Sequence, residues 1–345
     1  DEDLSARVPA AAVLEAKGVK PISLQAKDGL ALINGTQMMT AYGAYVLERT
    51  LGLQREADLI AAMSLEALQG SAAPFDERIH AIRPHHGQKL VAANIRKLLE
   101  GSEILAAHRD CGKVHDPYSL RCVPQVHGAI RDALSFSRHS IEVELNSVTD
   151  NPLVFDQGDI LSGGNFHGQP LALAMDFAAV ALAELGSISE RRTYLLLEGH
   201  DGLPKLLMQD TGVNSGFMMP QYTAAALVSE NKILCHPASV DSIPTSLGQE
   251  DHVSMGSISA FKLLSVLRNV ERVLAVELLT SAQALDFRGT LSPGHGVALA
   301  HKALRREIPH ADQDYEVKND LDQCAVMLRD GSLLNVVESE LGQLK

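Results

Sequence analysis

From Ser257 to Asp286 the sequence runs thirty residues without a glycine or a proline, and its apolar positions recur at helical spacing. At 1.5 Å per residue such a helix is on the order of 45 Å long. A helix of that length suits an elongated bundle rather than a compact two-layer domain. Stretches 38–50 and 57–69, rich in Ala, Leu and Met, read as helices too, as do 75–82, 88–100, 125–146, 171–185 and 222–233. Pro9 to Gly18 predicts a short helix with its proline and glycine at the expected ends. Shorter helices with polar turns follow from 296 onward. The apolar residues of 171–185 lie nearly all round, which predicts a helix deep inside the bundle. One hairpin is predicted, Leu153-Val-Phe and Ile160-Leu161 about a turn at Asp156-Gln-Gly-Asp159. The expectation is one all-α unit over 1–345, with a minor β-hairpin and loops gathered at helix ends.

Composition narrows the function classes. A chain of 345 residues can bury a large core. Its 43 acidic against 30 basic residues give a net charge of -13, which argues against a nucleic-acid or anionic-membrane partner. The longest apolar run, Leu171 to Leu185, is interrupted by Asp176 and is too short to span a bilayer. Despite 14 histidines there is no His-Glu-x-x-His and no Cys/His ligand spacing, so no metal is expected. Cys111, Cys122, Cys235 and Cys324 form no Cys-x-x-Cys pair, and no signal-peptide pattern is visible. Reduced thiols in a cytoplasmic protein are the expectation. The sequence begins at Asp1 with no initiator Met and reads as though it starts mid-protein.

Chemistry concentrates between Lys113 and Gly128, where Tyr118 and Arg121 stand three residues apart just ahead of Pro124. Proline fixes φ and lacks the donor that a first helical turn leaves unpaired anyway. Val126, Ile130 and Leu134 continue at helical spacing. Arg121 is therefore expected beside a helix N-terminus, where free N–H groups and the macrodipole favour an anion. A guanidinium there is suited to clamp a carboxylate through two parallel hydrogen bonds. An isolated Arg in a surface ion pair and a Tyr packed on the core would be the plainer interpretation. Three further polar, glycine-containing stretches weigh against it: Asn34-Gly-Thr-Gln, Gly163-Gly-Asn-Phe-His-Gly and Gly248-Gln-Glu-Asp-His-Val-Ser-Met-Gly. Each falls where a helix starts or stops. Together they offer amides, a guanidinium with a phenol, an aromatic face and a carboxylate.

Those runs, with Gly29 to Gln37, Tyr118-Ser-Leu-Arg-Cys, Asn146 to Pro152, Ser162 to Gly168, Asn214-Ser-Gly-Phe-Met and Gln249 to Gly256, resemble the aromatic amino-acid ammonia-lyase family, in particular its histidine-specific members. The likeness covers essentially the whole chain. It implies a long-helix bundle related to the fumarase/aspartase group, elimination of ammonia from L-histidine to trans-urocanate, and a homotetramer whose active sites draw on more than one subunit. It also implies a 4-methylidene-imidazol-5-one electrophile made from an internal Ala-Ser-Gly. By resemblance Arg121 grips the substrate carboxylate, and Asn34 lies near that carboxylate and the electrophile. Tyr118 handles a proton at the amino group, and Phe166 packs against substrate and electrophile. Gln249 precedes Glu250, the carboxylate that faces the imidazole. A carboxylate can accept an imidazole N–H, whereas facing a phenyl ring it would lose hydration with no partner.

Two positions depart from the family's pattern. His115 stands where a glutamine is usual, and unlike glutamine it can carry charge near neutral pH. Gly248 stands where an asparagine is common. No Ala-Ser-Gly occurs in the sequence, Asn214-Ser-Gly being the nearest string, and the tyrosine-bearing loop that supplies the base is missing too. The expectation is the C-terminal two-thirds of an ammonia-lyase, inert alone and needing an N-terminal companion segment. The competing expectations are a tyrosine or phenylalanine ammonia-lyase or aminomutase, and a non-catalytic assembly partner of an active lyase.

Overall fold

A computed structural model describes residues 8–109, 112 and 114–345. Lys113, Cys111 and the opening Asp1-Glu-Asp-Leu, all discussed above, lie outside the described residues. The chain divides into two compact units, one made of 1–37 with 148–167 and the other of 38–147 with 168–345.

The first unit holds two short helices, α1 (Ala10–Ala16) and α2 (Asp28–Asn34). It also holds the predicted hairpin of β1 (Leu153–Val154) and β2 (Ile160–Leu161), antiparallel with Leu153 opposite Leu161 and Val154 opposite Ile160. α1 buries none of its residues. Lys27, at the entry to α2, pairs with Asp150 at 2.5 Å. Asn151 Oδ1 accepts the Gly163 N–H at 2.7 Å, and Asn165 Nδ2 donates to the Val148 carbonyl at 3.2 Å. These bonds tie the two ends of the 148–167 segment together.

The regular elements described in the second unit are helices. Its elements are α3 (Gln37–Ala67, whose first residue belongs to the other unit), α4 (Glu77–Ala81), α5 (His86–Leu98), α6 (Glu103–Ala107), α7 (Tyr118–Arg121), α8 (Val123–Leu145) and α9 (Gln169–Leu197), then α10 (Met218–Leu234), α11 (Gly256–Asp286), α12 (His295–Glu307), α13 (Lys318–Arg329) and α14 (Ser332–Leu341). The long glycine- and proline-free pattern is α11, and from Asn269 to Leu285 every residue but Arg272 is buried. It packs on α9, α10 and α13, while α8 packs on α5 and α9. The described helices and the single two-stranded sheet make this an all-α bundle of long helices, as expected.

The largest departures from the expected boundaries are in two helices. The helices expected at 38–50 and 57–69 are one continuous α3. Gly52 in its middle lowers helix propensity by about 1 kcal/mol, but Leu53, Glu56 and Ala57 just beyond it are buried and hold the helix in place. The helix expected at 171–185 runs on to Leu197. Its polar second half, which broke the apolar pattern, is kept helical by buried polar side chains: Glu190 and Arg192 both lie in the core. Nor is α9 enclosed on all sides in this chain, because Phe177, Val180 and Tyr194 are about half exposed. By length and composition α9 could cross a membrane, but two-thirds of its most apolar window is buried in the bundle, as in a core helix.

Candidate active site

The turn α7 is built from the outside in. Pro117 caps it with a non-helical ψ of 153°. Its carbonyl accepts the N–H groups of Leu120 and Arg121 at 3.1 and 3.0 Å. Cys122 then leaves helical geometry, and α8 begins at Val123 with Pro124 in its first turn. Arg121 therefore closes one helix immediately before the next opens, as the proline predicted. Just upstream, the buried Asp116 carboxylate accepts the Ser71 N–H at 2.6 Å and ties this segment to the chain leaving α3.

The turn has two faces. Ser119 and Leu120 are buried, whereas Tyr118 is 73% exposed. The guanidinium carbon of Arg121 lies 4.9 Å from the Tyr118 ring centroid, a cation–π contact that orients the charge without neutralising it. Arg121 Nε is buried and has no hydrogen-bond partner among the described residues. Buried donors are almost always paired, so an unmatched one marks a group with capacity left for a ligand or water.

Tyr118, Arg121 and His115 line one cavity of about 450 Å³, together with Ser71, Pro74 and Gln125. His115 and Asp116 also border a second cavity of about 710 Å³, lined further by Arg96, Ser102 and His108. Gln125 was not singled out in the sequence. Its Oε1 is buried and unpartnered among the described residues, so an unmatched acceptor stands four residues after an unmatched donor on the same cavity wall. The signal available beforehand was the i, i+4 spacing from Arg121 across the start of α8.

Gln249 and Glu250 sit elsewhere, on the loop between α10 and α11, and neither lines that cavity in this chain. The root of the loop is anchored by Asp176 of α9, whose buried carboxylate accepts the N–H groups of Ala238 and Ser239 at 2.8 Å each. Beyond that root the loop is mostly exposed. Thr245 N–H donates to the Glu250 carbonyl at 3.0 Å, which closes a tight turn through Ser246, Leu247 and Gly248. Gly248 takes φ +90°, a conformation glycine adopts freely, which gives a local reason for glycine where the family commonly has asparagine.

Asn34 and Phe166 both belong to the first unit. Asn34 is the exposed last residue of α2. The Asp150 carboxyl is held below its ordinary range by the hydrogen bond from Lys27 first, then by the Asn151 backbone, with Asn34 contributing. Phe166 is 37% exposed in the turn before α9. The thiols of Cys122, Cys235 and Cys324 are free.

Comparison with known proteins agrees with this fold. The chain belongs to the aromatic amino acid lyase family, whose model matches residues 3–306. It is similar to a histidine ammonia-lyase of Sorangium cellulosum (strain So ce56), 53% identical over 98% of this chain and 67% of that protein. Among solved structures it is similar to histidine ammonia-lyase from Trypanosoma cruzi, with TM-score 0.88 and 44% identity over 96% of this chain and 63% of that one. Tyrosine aminomutase from Streptomyces globisporus gives TM-score 0.91 and 41% identity over 98% of this chain and 69% of that one. The chain thus spans about two-thirds of the length of the curated relatives it matches. The fold is the all-α, fumarase/aspartase-like one, and the family's chemistry implies a methylidene-imidazolone prosthetic group.

Proposed function

We propose that this chain is the substrate-gripping part of a histidine ammonia-lyase, which eliminates ammonia from L-histidine to give trans-urocanate. The observation that carries the reading is Arg121. Its Nε is buried and unmatched, its charge is stacked on Tyr118, and it stands at a helix start beside a cavity. That is the electrostatics of a carboxylate grip.

The residues present suit the family's prosthetic group. A phenol, an unmatched buried N–H and an unmatched buried amide oxygen surround one cavity, a donor and acceptor set fit for a zwitterionic amino acid beside a polar electrophile. When bound, the group supplies an electrophile that weakens the bond to the amino nitrogen. This sequence contains no Ala-Ser-Gly from which to make it. Around it, Arg121 fixes the carboxylate through parallel N–H bonds. The Tyr118 phenol, exposed on the same turn, exchanges a proton at the amino group. His115 on the same wall donates or accepts a hydrogen bond. Glu250, backed by Gln249, accepts the imidazole N–H and selects histidine over a substrate with a phenyl or phenol ring. By likeness to the family, Asn34 is assigned a carboxylate-binding role and Phe166 an aromatic one. Holding several groups in register is how proximity and preorganised charge lower a barrier.

The proposal extends to assembly as a homotetramer. α8 and α9 carry an apolar groove of about 690 Å³ lined by Ile130, Leu173, Phe177, Val180 and Val240, of which Phe177, Val180 and Val240 are exposed. Large exposed apolar patches mark association surfaces. A second copy of the chain would cover the groove and would let Glu250 of one subunit serve a cavity of another.

A second reading, an aminomutase or ammonia-lyase acting on tyrosine, is favoured by the fit to the tyrosine aminomutase structure. The test is to supply this chain with the remaining length that its relatives carry and to measure turnover of L-histidine and L-tyrosine, with and without Glu250→Gln. Urocanate from L-histidine, lost in the variant, supports histidine ammonia-lyase. Tyrosine turnover with none of histidine overturns it. No turnover of either, by a folded tetramer, supports a non-catalytic assembly partner.

A further inference from the structure

The turn bearing Tyr118 and Arg121 is also held from its buried face. Ser119 and Leu120 are turned into the core, and the Ser119 carbonyl accepts a hydrogen bond from Arg192 Nη1 of α9 at 3.3 Å. Arg192 is itself fully enclosed. Its other two nitrogens are committed to Glu277 of α11, Nε to Oε1 at 2.5 Å and Nη2 to Oε2 at 2.9 Å. Ser64 Oγ of α3 donates to the same Oε1 at 2.6 Å. A continuous line of polar contacts thus runs from α3 through α11 and α9 and ends on the backbone of α7.

We propose that Arg192 is a positioning residue for the carboxylate grip, its third nitrogen setting where the α7 turn presents Tyr118 and Arg121. The proposal rests on the reading of that cavity as the substrate carboxylate site. A buried ion pair adds little stability over a well-packed apolar pair of similar volume, so packing alone does not account for this one. What an apolar pair could not supply is direction. The planar guanidinium, locked on Glu277 by two parallel bonds, has its remaining arm fixed in the same plane, and that arm ends one residue from Tyr118. Lysine could keep one bond to Glu277 but could not span both Glu277 and the Ser119 carbonyl. A shift on the order of 1 Å in such a turn costs on the order of 100-fold in rate.

The experiment uses the chain with the remaining length its relatives carry, and two probes titrated calorimetrically: urocanate, and urocanate's carboxamide, which lacks the charge. Arg192→Lys is expected to weaken urocanate binding by about tenfold while leaving the carboxamide nearly unchanged, so that the difference between the probes shrinks. In turnover of L-histidine, KM should rise along with a fall in kcat. A purely structural Arg192 would weaken both probes alike or neither, and either result overturns the proposal. Arg121→Met is the control for the underlying site. If it leaves urocanate binding unchanged, the carboxylate-site reading fails; if it weakens urocanate while Arg192→Lys does not, only the positioning role fails. Should Arg192→Lys not fold, Ser64→Ala loosens Glu277 without removing a charge. A selective loss of urocanate affinity then supports the proposal, and none overturns it.

Discussion

Arg192 and Arg121 both bear on one short turn, and their hydrogen-bonding capacity is used in opposite ways. Each nitrogen of Arg192 has an acceptor, all of it out of contact with water. Arg121 lies over a tyrosine ring with its buried Nε unmatched. In the sequence the two look alike, since each stands beside a helical stretch with an acidic residue a few positions ahead of it, Asp116 before Arg121 and Glu190 before Arg192. The difference between them is a difference in unmet demand. Where every polar group is satisfied the residue has become part of the bundle; where one is not, the structure keeps room for something else to bind.

The sharpest way to break the contrast is to remove the satisfied arginine. Arg192→Met leaves Glu277 buried and unpaired, and should cost about 3–5 kcal/mol of stability. Thermal or denaturant unfolding of the full chain measures it. A loss below about 1 kcal/mol would show that the pair is not structurally committed.

Next come the buried acids of the same bundle. Burial raises Glu56 to about 7 against an opposing Arg49, and raises Glu66 to about 7 against hydrogen bonds from Ser102 and the Gly294 backbone. A carboxyl with a raised folded-state pKa binds more protons folded than unfolded between about 4.5 and 7. Its contribution is present below the lower limit and lost as pH rises through the upper one. Stability should therefore fall across that window, by up to about 3 kcal/mol per group. Glu56→Gln should flatten the slope, as chemical unfolding at several pH values would reveal. An unchanged slope in Glu56→Gln would rule this carboxyl out as its source.

Arg121→Met tests the unsatisfied side. With no intramolecular bond to lose at Nε, it should leave the melting temperature nearly unchanged and weaken carboxylate binding by roughly 100-fold. Large destabilisation with intact binding would invert the comparison.

A smaller effect is expected where two helix backbones come into direct contact. At the crossing of α5 and α8, a Cβ on Gly128 would stand 2.3 Å from the Gln88 backbone N. Gly128→Ala should cost about 1–3 kcal/mol by forcing the helices apart. Smallest of all is the surface pair Arg138–Glu142, at 2.6 Å but largely exposed. Arg138→Ala should change stability by at most about 0.5 kcal/mol.

Much of this molecule was legible in its sequence. The α11 pattern, the hairpin and its turn, and the proline opening α8 follow from local rules that tertiary contacts did not override. The extent of α9 was not, because Glu190 and Arg192 look like surface residues until their buried partners are known. The same limit applies at the candidate site. His115, Tyr118 and Arg121 lie close in sequence and share a cavity, whereas Gln125 carries no motif beyond its spacing. Ser119, the contact of Arg192, takes part through its backbone carbonyl, which side-chain identity does not reveal.

The Asp176 anchor has a consequence for how such a chain can change over time. One carboxylate in α9 fixes the root of the loop that carries Gln249 and Glu250, while most of the residues between that root and α11 face solvent. Given the role proposed for Glu250, mutations along the exposed part would alter what is recognised without drawing on the stability of the helices beneath. Selectivity and foldedness would then be encoded in separate stretches, each free to drift while the other is held.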